Sequence, residues 1–336
     1  MSNNADLKHG GNIFAASEQY NIPIENWTDL STGISPFIYP VPIVPQSIYS
    51  RLPYECPKFI RAVKQYYNVE HFLAVPGSQT AIEQLPILLK QISKVNKVLI
   101  PFVGYQEHRF HFDKQQFTTN FYQSFDVDSA FTEIQKSLQT QKSHLLIIQP
   151  NNPTGIVFST NQIKTFLKIL AKDAFLIMDE AFIDANEQTS SIKLIDEYKN
   201  LIILRSVGKF FGLAGLRLGF VMATPKVLDQ LETQVGKWQV SSPTQFIATQ
   251  VLLDTQFHQH TTLNILQKNK DTQLQFQDIQ VFASQVFVSE LFVSYLLDVV
   301  KAEEFFESYA KRGILLRLIK VDKTFSLIRV GLSLKD

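Results

Sequence analysis

A single lysine, Lys209, stands among small and apolar residues in the segment LRSVGKFFGLAGLRLGF, residues 204–220. A lysine amine forms a Schiff base with a carbonyl only as the neutral species, so it needs surroundings that disfavour its charge. Phe210 and Phe211 could supply apolar packing, and Arg217 could supply a nearby positive charge. The alternative is a lysine at a loop end with its ammonium group in water, as for most lysines. Lys209 alone leaves both interpretations open.

Two polar segments follow predicted strands. QPNNPTG comes after one apolar run and MDEAF closes another, and ligands of open α/β sheets bind at the carboxyl ends of strands. Asn152 precedes a proline, which favours extended or turn backbone, so its amide can project towards a ligand. Asp179, directly after FLIM, would be costly to bury without a cationic partner. Each also has a structural interpretation, a turn for NNPTG and a helix cap for Asp179.

A lysine for an aldehyde and an aspartate for a protonated pyridine nitrogen are together the protein complement of pyridoxal 5′-phosphate. This cofactor also needs a phosphate site. In VPGSQTAIEQL, Gly77 and Ser78 precede a predicted helix whose first backbone N–H groups and positive dipole end would face an anion. Ser206 and Arg217 could add a hydroxyl and a guanidinium.

Two other phosphate motifs do not fit the lysine segment. The Walker pattern needs Gly at position 203 and Ser or Thr after the lysine, where Ile203 and Phe210 stand. The dinucleotide fingerprint G-x-G-x-x-G is also absent from this region.

The elements that must position these residues alternate as in an α/β protein. From about residue 59 to 223, short apolar runs alternate with segments of helical periodicity. The predicted strands here are 97–102, 145–149, 175–179, 201–205 and 218–223, and the predicted helices are 79–93 and 160–174. Nearly continuous apolar strands with helical crossovers favour a mostly parallel sheet covered on both faces.

After about residue 225 the alternation is less regular. The predicted elements are helices over 225–238 and from Pro243, and strands over 291–299, 314–319 and 325–333. The sequence therefore predicts an α/β fold, with a large domain of mostly parallel sheet flanked by helices and a smaller α+β domain. The expected bounds are an N-terminal arm over 1–40 that joins the small domain, a large domain over 41–224, and a small domain over 225–336.

Composition excludes several classes of protein. Of the 336 residues, 45% are hydrophobic and 19% charged, with 32 Lys and Arg against 31 Asp and Glu. The absence of a basic surplus argues against a nucleic-acid partner. One cysteine and seven scattered histidines give no zinc spacing, so no metal is expected. A polar N-terminus and the lack of a long apolar run argue against secretion and membrane insertion, and we expect a cytoplasmic protein.

Four motifs in order resemble the class I/II aminotransferase superfamily, the fold-type I pyridoxal phosphate enzymes: PGSQ, NNPTG, DEAF and SVGK followed by GLRLG. The resemblance covers nearly the whole chain. Within that superfamily, HGGN, DLSTGISP and RLP near the N-terminus resemble the threonine-phosphate decarboxylases of cobalamin synthesis. These are close relatives of histidinol-phosphate aminotransferases.

The resemblance assigns cofactor roles to matching positions. It implies that Lys209 binds the cofactor aldehyde covalently, that Asp179 pairs with the pyridine nitrogen, and that Asn152 donates to the phenolic oxygen. The residues implied to hold the phosphate, besides the backbone at Gly77, are Ser78, Gln79, Ser206 and Arg217. Tyr105, in VGYQEHRF, matches the aromatic residue that stacks on the ring; alone it could be a half-buried tyrosine with a hydrated hydroxyl.

Substrate recognition is assigned mainly to the small domain. Arg329, in SLIRVGLS, matches the arginine that pairs with the substrate carboxylate through two parallel hydrogen bonds. Arg317, His9 and the backbone around Gly33 would suit a substrate phosphate, and the Asn152 amide also faces the substrate in this interpretation. Each arginine could instead be an ordinary charge at a strand edge.

The sequence departs from the wider family at three places. Phe182 stands where many relatives have a tyrosine able to donate to the ring oxygen. Leu52 replaces the tyrosine that, in aminotransferase relatives, reaches the neighbouring subunit's phosphate. The chain also stops five residues after Gly331, so a last helix of relatives is expected to be absent or short.

The resemblance implies decarboxylation of L-threonine O-3-phosphate to (R)-1-aminopropan-2-yl phosphate in a homodimer. A histidinol-phosphate-like aminotransferase is the alternative, because the bond at the α-carbon that lies perpendicular to the cofactor ring is the one that breaks. The sequence does not reveal that angle. A non-enzymatic binding protein on the same fold is a third and more distant possibility, which loss of Lys209 or Asp179 would have favoured.

Overall fold

The computed structural model describes residues 9–334, and the chain divides into two compact units. The larger unit comprises Ile38–Asn152 and Ile156–His260, and the smaller comprises residues up to Phe37, Pro153–Gly155 and residues from Thr261 onward. Residues 1–8 and 335–336, the outer ends of the predicted arm and small domain, lie outside the described part.

The strands are given first, in chain order. They are β1 Thr28–Asp29, β2 Leu73–Val75, β3 Lys97–Pro101, β4 Thr118–Tyr122, β5 His144–Ile148, β6 Leu176–Asp179, β7 Leu201–Ser206, β8 Gly219–Met222, β9 Gln285–Ser289, β10 Phe292–Asp298, β11 Ile314–Leu315, β12 Arg317–Lys320 and β13 Phe325–Gly331.

The α-helices follow the same numbering. They are α1 Ile13–Tyr20, α2 Gln46–Tyr49, α3 Pro57–Tyr67, α4 Ser78–Ile92, α5 Gln106–Lys114, α6 Val127–Thr140, α7 Thr160–Ile169, α8 Pro225–Val235, α9 Ser242–Val251, α10 Thr255–Gln275, α11 Gln277–Gln280 and α12 Val299–Ala310.

The larger unit is built on a seven-stranded sheet in the order β2-β8-β7-β6-β5-β3-β4. The five strands from β7 to β4 are parallel, whereas β8 is antiparallel to both β7 and β2. Every residue of β5, β6 and β7 is buried. Strands buried on both faces are typical of a parallel sheet with helical crossovers, so the predicted α/β fold is confirmed.

One face of this sheet packs against α4, α5 and α8. Ile177 and Ile202 of the sheet share a buried apolar cluster with Leu85 of α4, Phe112 of α5 and Leu231 of α8. Burial of each such side chain contributes about 1.5–3 kcal/mol, so this layer fixes the start of α4 against the strands.

The smaller unit contains a four-stranded antiparallel sheet in the order β12-β13-β10-β9 and a two-stranded parallel sheet of β1 and β11. Alternate residues of β10 and β13, including Tyr295 and Ile328, form an apolar core with Ala302 and Tyr309 of α12. Arg329 lies on the other face of β13 and is therefore not part of this apolar core.

Three of the differences between the structure and the sequence predictions have a clear physical reason. Helices α8 and α9 belong to the larger unit, because α8 packs on α4 and α9 on α3; the division falls after His260 and not at 225. The predicted strand 314–319 is two strands in two sheets, separated at Leu316. Strand β4 was missed because only Tyr122 of its five side chains is buried, so it has no apolar run.

Candidate functional site

Four predicted residues lie after neighbouring parallel strands of the larger unit. Strands β7, β6, β5 and β3 are adjacent in the sheet, and Lys209, Asp179, Asn152 and Tyr105 stand at or just beyond their carboxyl ends. Since the carboxyl ends of parallel strands share one edge, the fold brings these four residues to the same edge.

Asp179 is the last residue of β6 and only 3% exposed. Its Oδ2 lies 2.7 Å from Nε2 of His108, which is also buried, and its Oδ1 accepts from the Ala181 N–H at 3.1 Å. The sequence predicts a cationic partner for this carboxylate but does not identify His108. The signal was available: Tyr105 and His108 are three residues apart at the start of α5, and therefore on one side of the helix.

Lys209 follows β7 by three residues and is partly buried. Its neighbours Phe210 and Phe211 are buried, as predicted, and its Nζ lies 5.2 Å from the ring centroid of Phe182. An ammonium group over an aromatic face is stabilised by the ring quadrupole. Phe182, noted in the sequence only for the hydroxyl it lacks, is therefore a direct neighbour of the lysine.

The start of α4 meets Arg217 and Gly219. Gly77 has a positive φ of 76°, and a Cβ added there would lie 2.7 Å from a terminal nitrogen of Arg217. A Cβ on Gly219 would lie 2.4 Å from the backbone nitrogen of Ser78, and Gly219 is directly opposite Ser206 across β7 and β8. The structure thus gathers these predicted phosphate-binding residues at the N-terminus of a 15-residue helix, where an anion is favoured.

Gln79 connects the start of α4 to α5 through its side chain. Its amide oxygen accepts from the Tyr105 hydroxyl at 3.2 Å, and its Nε2 donates to Glu107 Oε2 at 2.7 Å. Glu107 also lies 3.2 Å from Nε2 of His111. Sequence reasoning missed Glu107, since a lone glutamate in a helix gives no signal of what it will meet.

Asn152 lies in the turn between β5 and α7 and is partly buried. The preceding Asn151 fixes this turn, because its N–H donates to the Ile156 carbonyl at 3.0 Å and its Nδ2 to the Val103 carbonyl at 2.9 Å. The turn prediction for NNPTG is therefore confirmed.

In the smaller unit, Arg317 and Arg329 lie directly opposite each other across β12 and β13. Residues so paired share a face, with Cβ atoms about 5 Å apart. Arg329 is 7% exposed and packs over the ring of Phe292 at 5.4 Å. Burial, followed by the charge of Arg317, lowers the pKa of Arg329 to about 10, against an opposing effect of Asp29.

The other predicted residues of the smaller unit surround Ser31. Arg329 donates to the Ser31 carbonyl, and the Gly11 N–H donates to the Ser31 hydroxyl at 2.7 Å. A Cβ on Gly10 would lie 2.3 Å from the Ser31 carbonyl oxygen. His9, adjacent to Gly10, is exposed, and Gly33, two residues after Ser31, is buried. The unit therefore gathers His9, Gly33, Arg317 and Arg329 in one region.

Two further features of residues 9–334 bear on function. No three His, Cys, Asp or Glu side chains in this part of the chain are arranged to hold a metal ion. No helix in the same range has both the length and the apolar character required to cross a bilayer.

Residues 46–336 match the family model for aminotransferase class I and II. A threonine-phosphate decarboxylase from Pseudomonas aeruginosa is 35% identical over 251 residues, covering 74% of this chain and 72% of its own length. A histidinol-phosphate aminotransferase from Blochmanniella floridana is 34% identical over 205 residues, covering 59% of this chain and 56% of its own.

A similar fold is found in the crystal structure of histidinol-phosphate aminotransferase from Sinorhizobium meliloti in complex with pyridoxal-5′-phosphate. The TM-score is 0.77 at 16% identity, over 100% of this chain and 93% of that one. At this identity the structural similarity is evidence for the fold alone.

Proposed function

The chain belongs to the aminotransferase class I and II family, and we propose that it decarboxylates L-threonine O-3-phosphate to (R)-1-aminopropan-2-yl phosphate, a reaction of cobalamin biosynthesis. It is a pyridoxal 5′-phosphate-dependent enzyme. That cofactor, when bound, supplies an electron sink for bond cleavage at a substrate's α-carbon.

The residues of the larger unit fit this cofactor. The Arg217 guanidinium lies against Gly77 at the start of α4, which brings a cation to a helix N-terminus, as a phosphate requires. Asp179, kept in place by His108, would accept from the pyridine N–H. Lys209 would hold the aldehyde covalently.

Other residues at the strand edge complete the assignment. Asn152 would donate to the phenolic oxygen, a role that rests on it alone because Phe182 has no hydroxyl. Tyr105 would stack on the ring, with its hydroxyl anchored on Gln79. Ser206 would add a hydroxyl to the phosphate, and Ser78 and Gln79 would offer the first backbone N–H groups of α4.

The observation that carries the choice of substrate is the side-by-side placement of Arg317 and Arg329. Two adjacent guanidiniums, one of them with a lowered pKa, suit a ligand that brings more than one negative charge. A phosphorylated amino acid carries both a carboxylate and a phosphate. Arg329 would bind the carboxylate, and Arg317 with His9 and the backbone at Gly33 would bind the phosphate.

The reaction type depends on how Arg329 orients the carboxylate. For decarboxylation, Arg329 would have to hold the carboxylate so that the bond to the carboxyl carbon, and not the Cα–H bond, is the one that breaks. The Lys209 amine would then deliver a proton to the α-carbon in place of the lost CO2. For transamination, the Lys209 amine would instead accept the α-proton.

A histidinol-phosphate-like aminotransferase is the second candidate, favoured by the relative of that name. Leu52 weighs against it, because the tyrosine expected there is missing. The threonine-phosphate decarboxylase relative also matches a larger share of this chain, 74% against 59%.

The test is incubation of the purified holoenzyme with L-threonine O-3-phosphate, with CO2 and the amine product measured. We expect equal amounts of both, and little turnover of unphosphorylated threonine. In the Arg317→Gln variant, the preference for the phosphorylated substrate should fall about tenfold or more, because a charge-assisted contact is lost. Product formation that requires a keto acid and releases no CO2 would contradict decarboxylation.

We also propose a cytoplasmic homodimer. Several large apolar side chains of the larger unit are exposed between residues 38 and 54, and Ile43 is 94% exposed. The residues concerned are Ile38, Val41, Ile43, Tyr49, Leu52 and Tyr54. Exposed apolar surface of this kind favours association, and light scattering coupled to gel filtration would measure it directly.

A further inference from the structure

Arg205 of β7 is fully buried and meets three carboxylates. Its terminal nitrogens lie 2.6 Å from Glu187 Oε2, 2.8 Å from Asp184 Oδ1 and 3.5 Å from Glu180 Oε2. Its guanidinium also packs 4.7 Å from the ring centroid of Tyr67. We name Arg205, Glu180, Asp184 and Glu187 the Arg205 cluster.

The cluster fixes both ends of the segment that follows β6. Glu180 Oε2 accepts from the Ser190 hydroxyl at 2.6 Å, and Glu180 Oε1 accepts from the Ser191 N–H at 2.7 Å. Asp184 additionally accepts from the Tyr66 hydroxyl at 3.0 Å. The segment 180–191 is therefore closed into a loop that is tied to β7 and to α3.

This loop carries a neighbour of the candidate lysine. Phe182, whose ring lies 5.2 Å from Lys209 Nζ, stands between Glu180 and Asp184. Asp179 directly precedes Glu180, and Ser206 directly follows Arg205. Because successive strand residues project to opposite faces, Arg205 and Ser206 point away from each other. The cluster thus lies across the sheet from the candidate cofactor residues.

We propose that the Arg205 cluster is a positioning device for the cofactor site, which holds Phe182 and Asp179 in place and sets the electrostatic potential at Lys209. This inference rests on the proposed assignment of Lys209 and Asp179. It does not depend on which substrate the enzyme uses.

The charge balance of the Arg205 cluster is the reason that it can set the electrostatic potential at Lys209. Three carboxylates face one guanidinium, so ionisation of all three leaves an excess of negative charge on the buried Glu180 and Asp184 and on Glu187, whose side chain is 44% exposed. Burial raises the pKa of Glu180 to about 7, although Arg205, the Ser190 hydroxyl and the Ser191 N–H act against the shift. The other charged or titratable groups that face the cluster are Tyr66 and Tyr67 of α3 and Lys193.

The experiment follows the pH dependence of the absorbance of the lysine-bound cofactor in the holoenzyme. Glu187→Gln removes a negative charge, so the protonated form at Lys209 is less stabilised and the midpoint should fall by about half a pH unit. Above pH 7, where Glu180 is ionised, Glu180→Gln should also lower the midpoint. Arg205→Met removes the cation and should shift the midpoint upward.

The matched control is Glu304→Gln. It makes the same chemical change in an ion pair of similar length, 2.7 Å to Lys301, on the exposed face of α12 in the smaller unit. The midpoint should not move in this variant. Induced circular dichroism of the cofactor band should change in the cluster variants and stay constant in the control, since it reports how the cofactor is held.

Folded Glu187→Gln and Glu180→Gln proteins with the wild-type midpoint and the wild-type induced dichroism would overturn the proposal, whether or not Arg205→Met folds. A band that persists unchanged in Lys209→Ala would overturn the assignment of the lysine, and this inference with it. Shifted midpoints in an enzyme that releases no CO2 from threonine phosphate would leave the cluster supported and refute only the substrate.

Discussion

Two buried arginines, one in each unit, have opposite electrostatic surroundings. Arg205 of the larger unit is enclosed by Glu180, Asp184 and Glu187. Burial alone would lower its pKa, but the charges of Asp184 and Glu187 raise that pKa well above the ordinary value. Arg329 of the smaller unit has another arginine, Arg317, as its cross-strand neighbour, and its pKa is lowered to about 10.

The difference distinguishes a structural charge from one suited to a ligand. The protein itself supplies more than enough negative charge for Arg205, so a bound anion would gain nothing there. Around Arg329 the effect of the neighbouring cation Arg317 exceeds the opposing effect of Asp29, so an anionic ligand would stabilise the desolvated guanidinium further. Four variants test how far this contrast holds, in order of decreasing effect.

The largest effect is expected for Arg205→Met. Removing one partner of a buried ionic cluster leaves carboxylates uncompensated, and the free energy of unfolding should fall by about 3–5 kcal/mol. Urea unfolding followed by circular dichroism measures this. A loss below about 1 kcal/mol would mean that protonation of the carboxylates compensates for the missing guanidinium. The contrast with Arg329 would then disappear.

Arg329→Gln should show the converse behaviour, with catalysis lost and stability kept. Loss of the proposed charge-assisted contact to the substrate carboxylate should lower kcat/KM by about 100-fold, or roughly 3 kcal/mol. The free energy of unfolding should change by less than about 1 kcal/mol, because a desolvated charge with a like-charged neighbour is removed. Steady-state kinetics and urea unfolding of one preparation provide both numbers, and strong destabilisation with unchanged kinetics would reverse the assignment.

Glu180→Gln should change the pH dependence of stability. The folded pKa of Glu180, about 7, lies above the ordinary 4.5, so the folded state binds more protons and wild-type stability falls as pH rises from about 4.5 to 7. The glutamine variant lacks this contribution, which is at most about 3 kcal/mol.

Melting temperatures of both proteins at pH 5 and pH 8 measure the difference. His144, whose pKa burial lowers to about 4, contributes the opposite slope below pH 6.5, but it does so equally in the two proteins. Parallel pH profiles for wild type and variant would show that Glu180 stays ionised throughout.

The smallest effect is expected for Tyr66→Phe. It removes one hydrogen bond to Asp184, which keeps its contact with Arg205, so a loss of about 1 kcal/mol is expected. The matched control is Tyr39→Phe, whose hydroxyl donates to Asp254 at a longer 3.3 Å. Thermal unfolding of the two variants measures their stability. Equal losses of stability would mean that the Arg205 cluster does not strengthen the hydrogen bond from Tyr66.

Much of the strand-end chemistry was predictable from local patterns. Short apolar runs located β5, β6 and β7, and the polar residues after them located Asn152, Asp179 and Lys209. Gly77, before α4, and Arg217, in the lysine segment, were both predicted to serve the cofactor phosphate, and Arg217 lies against Gly77. Such features are encoded within a few residues, which is why periodicity and strand ends reveal them.

The remainder depends on pairings between distant residues. His108 meets Asp179 from 71 residues away and Glu107 meets Gln79 from 28. The spacing from Tyr105 places His108 on the same side of α5, but no local pattern predicts the Glu107 contact. The sequence predicts Arg205 only as part of an apolar strand, because its carboxylate partners come from the loop 180–191, which has no periodicity of its own. The division after His260 was likewise set by helix packing and not by composition.

The sequence by itself determined the chemical groups of this protein and the elements that carry them, because strand ends and helix starts are local consequences of side-chain type. Only the tertiary structure decided which charges compensate one another. Arg205 and Arg329 have similar sequence surroundings, because each lies in an apolar strand. Their different roles follow from what the fold packs beside them, since the energy of a buried charge depends on its neighbours in space.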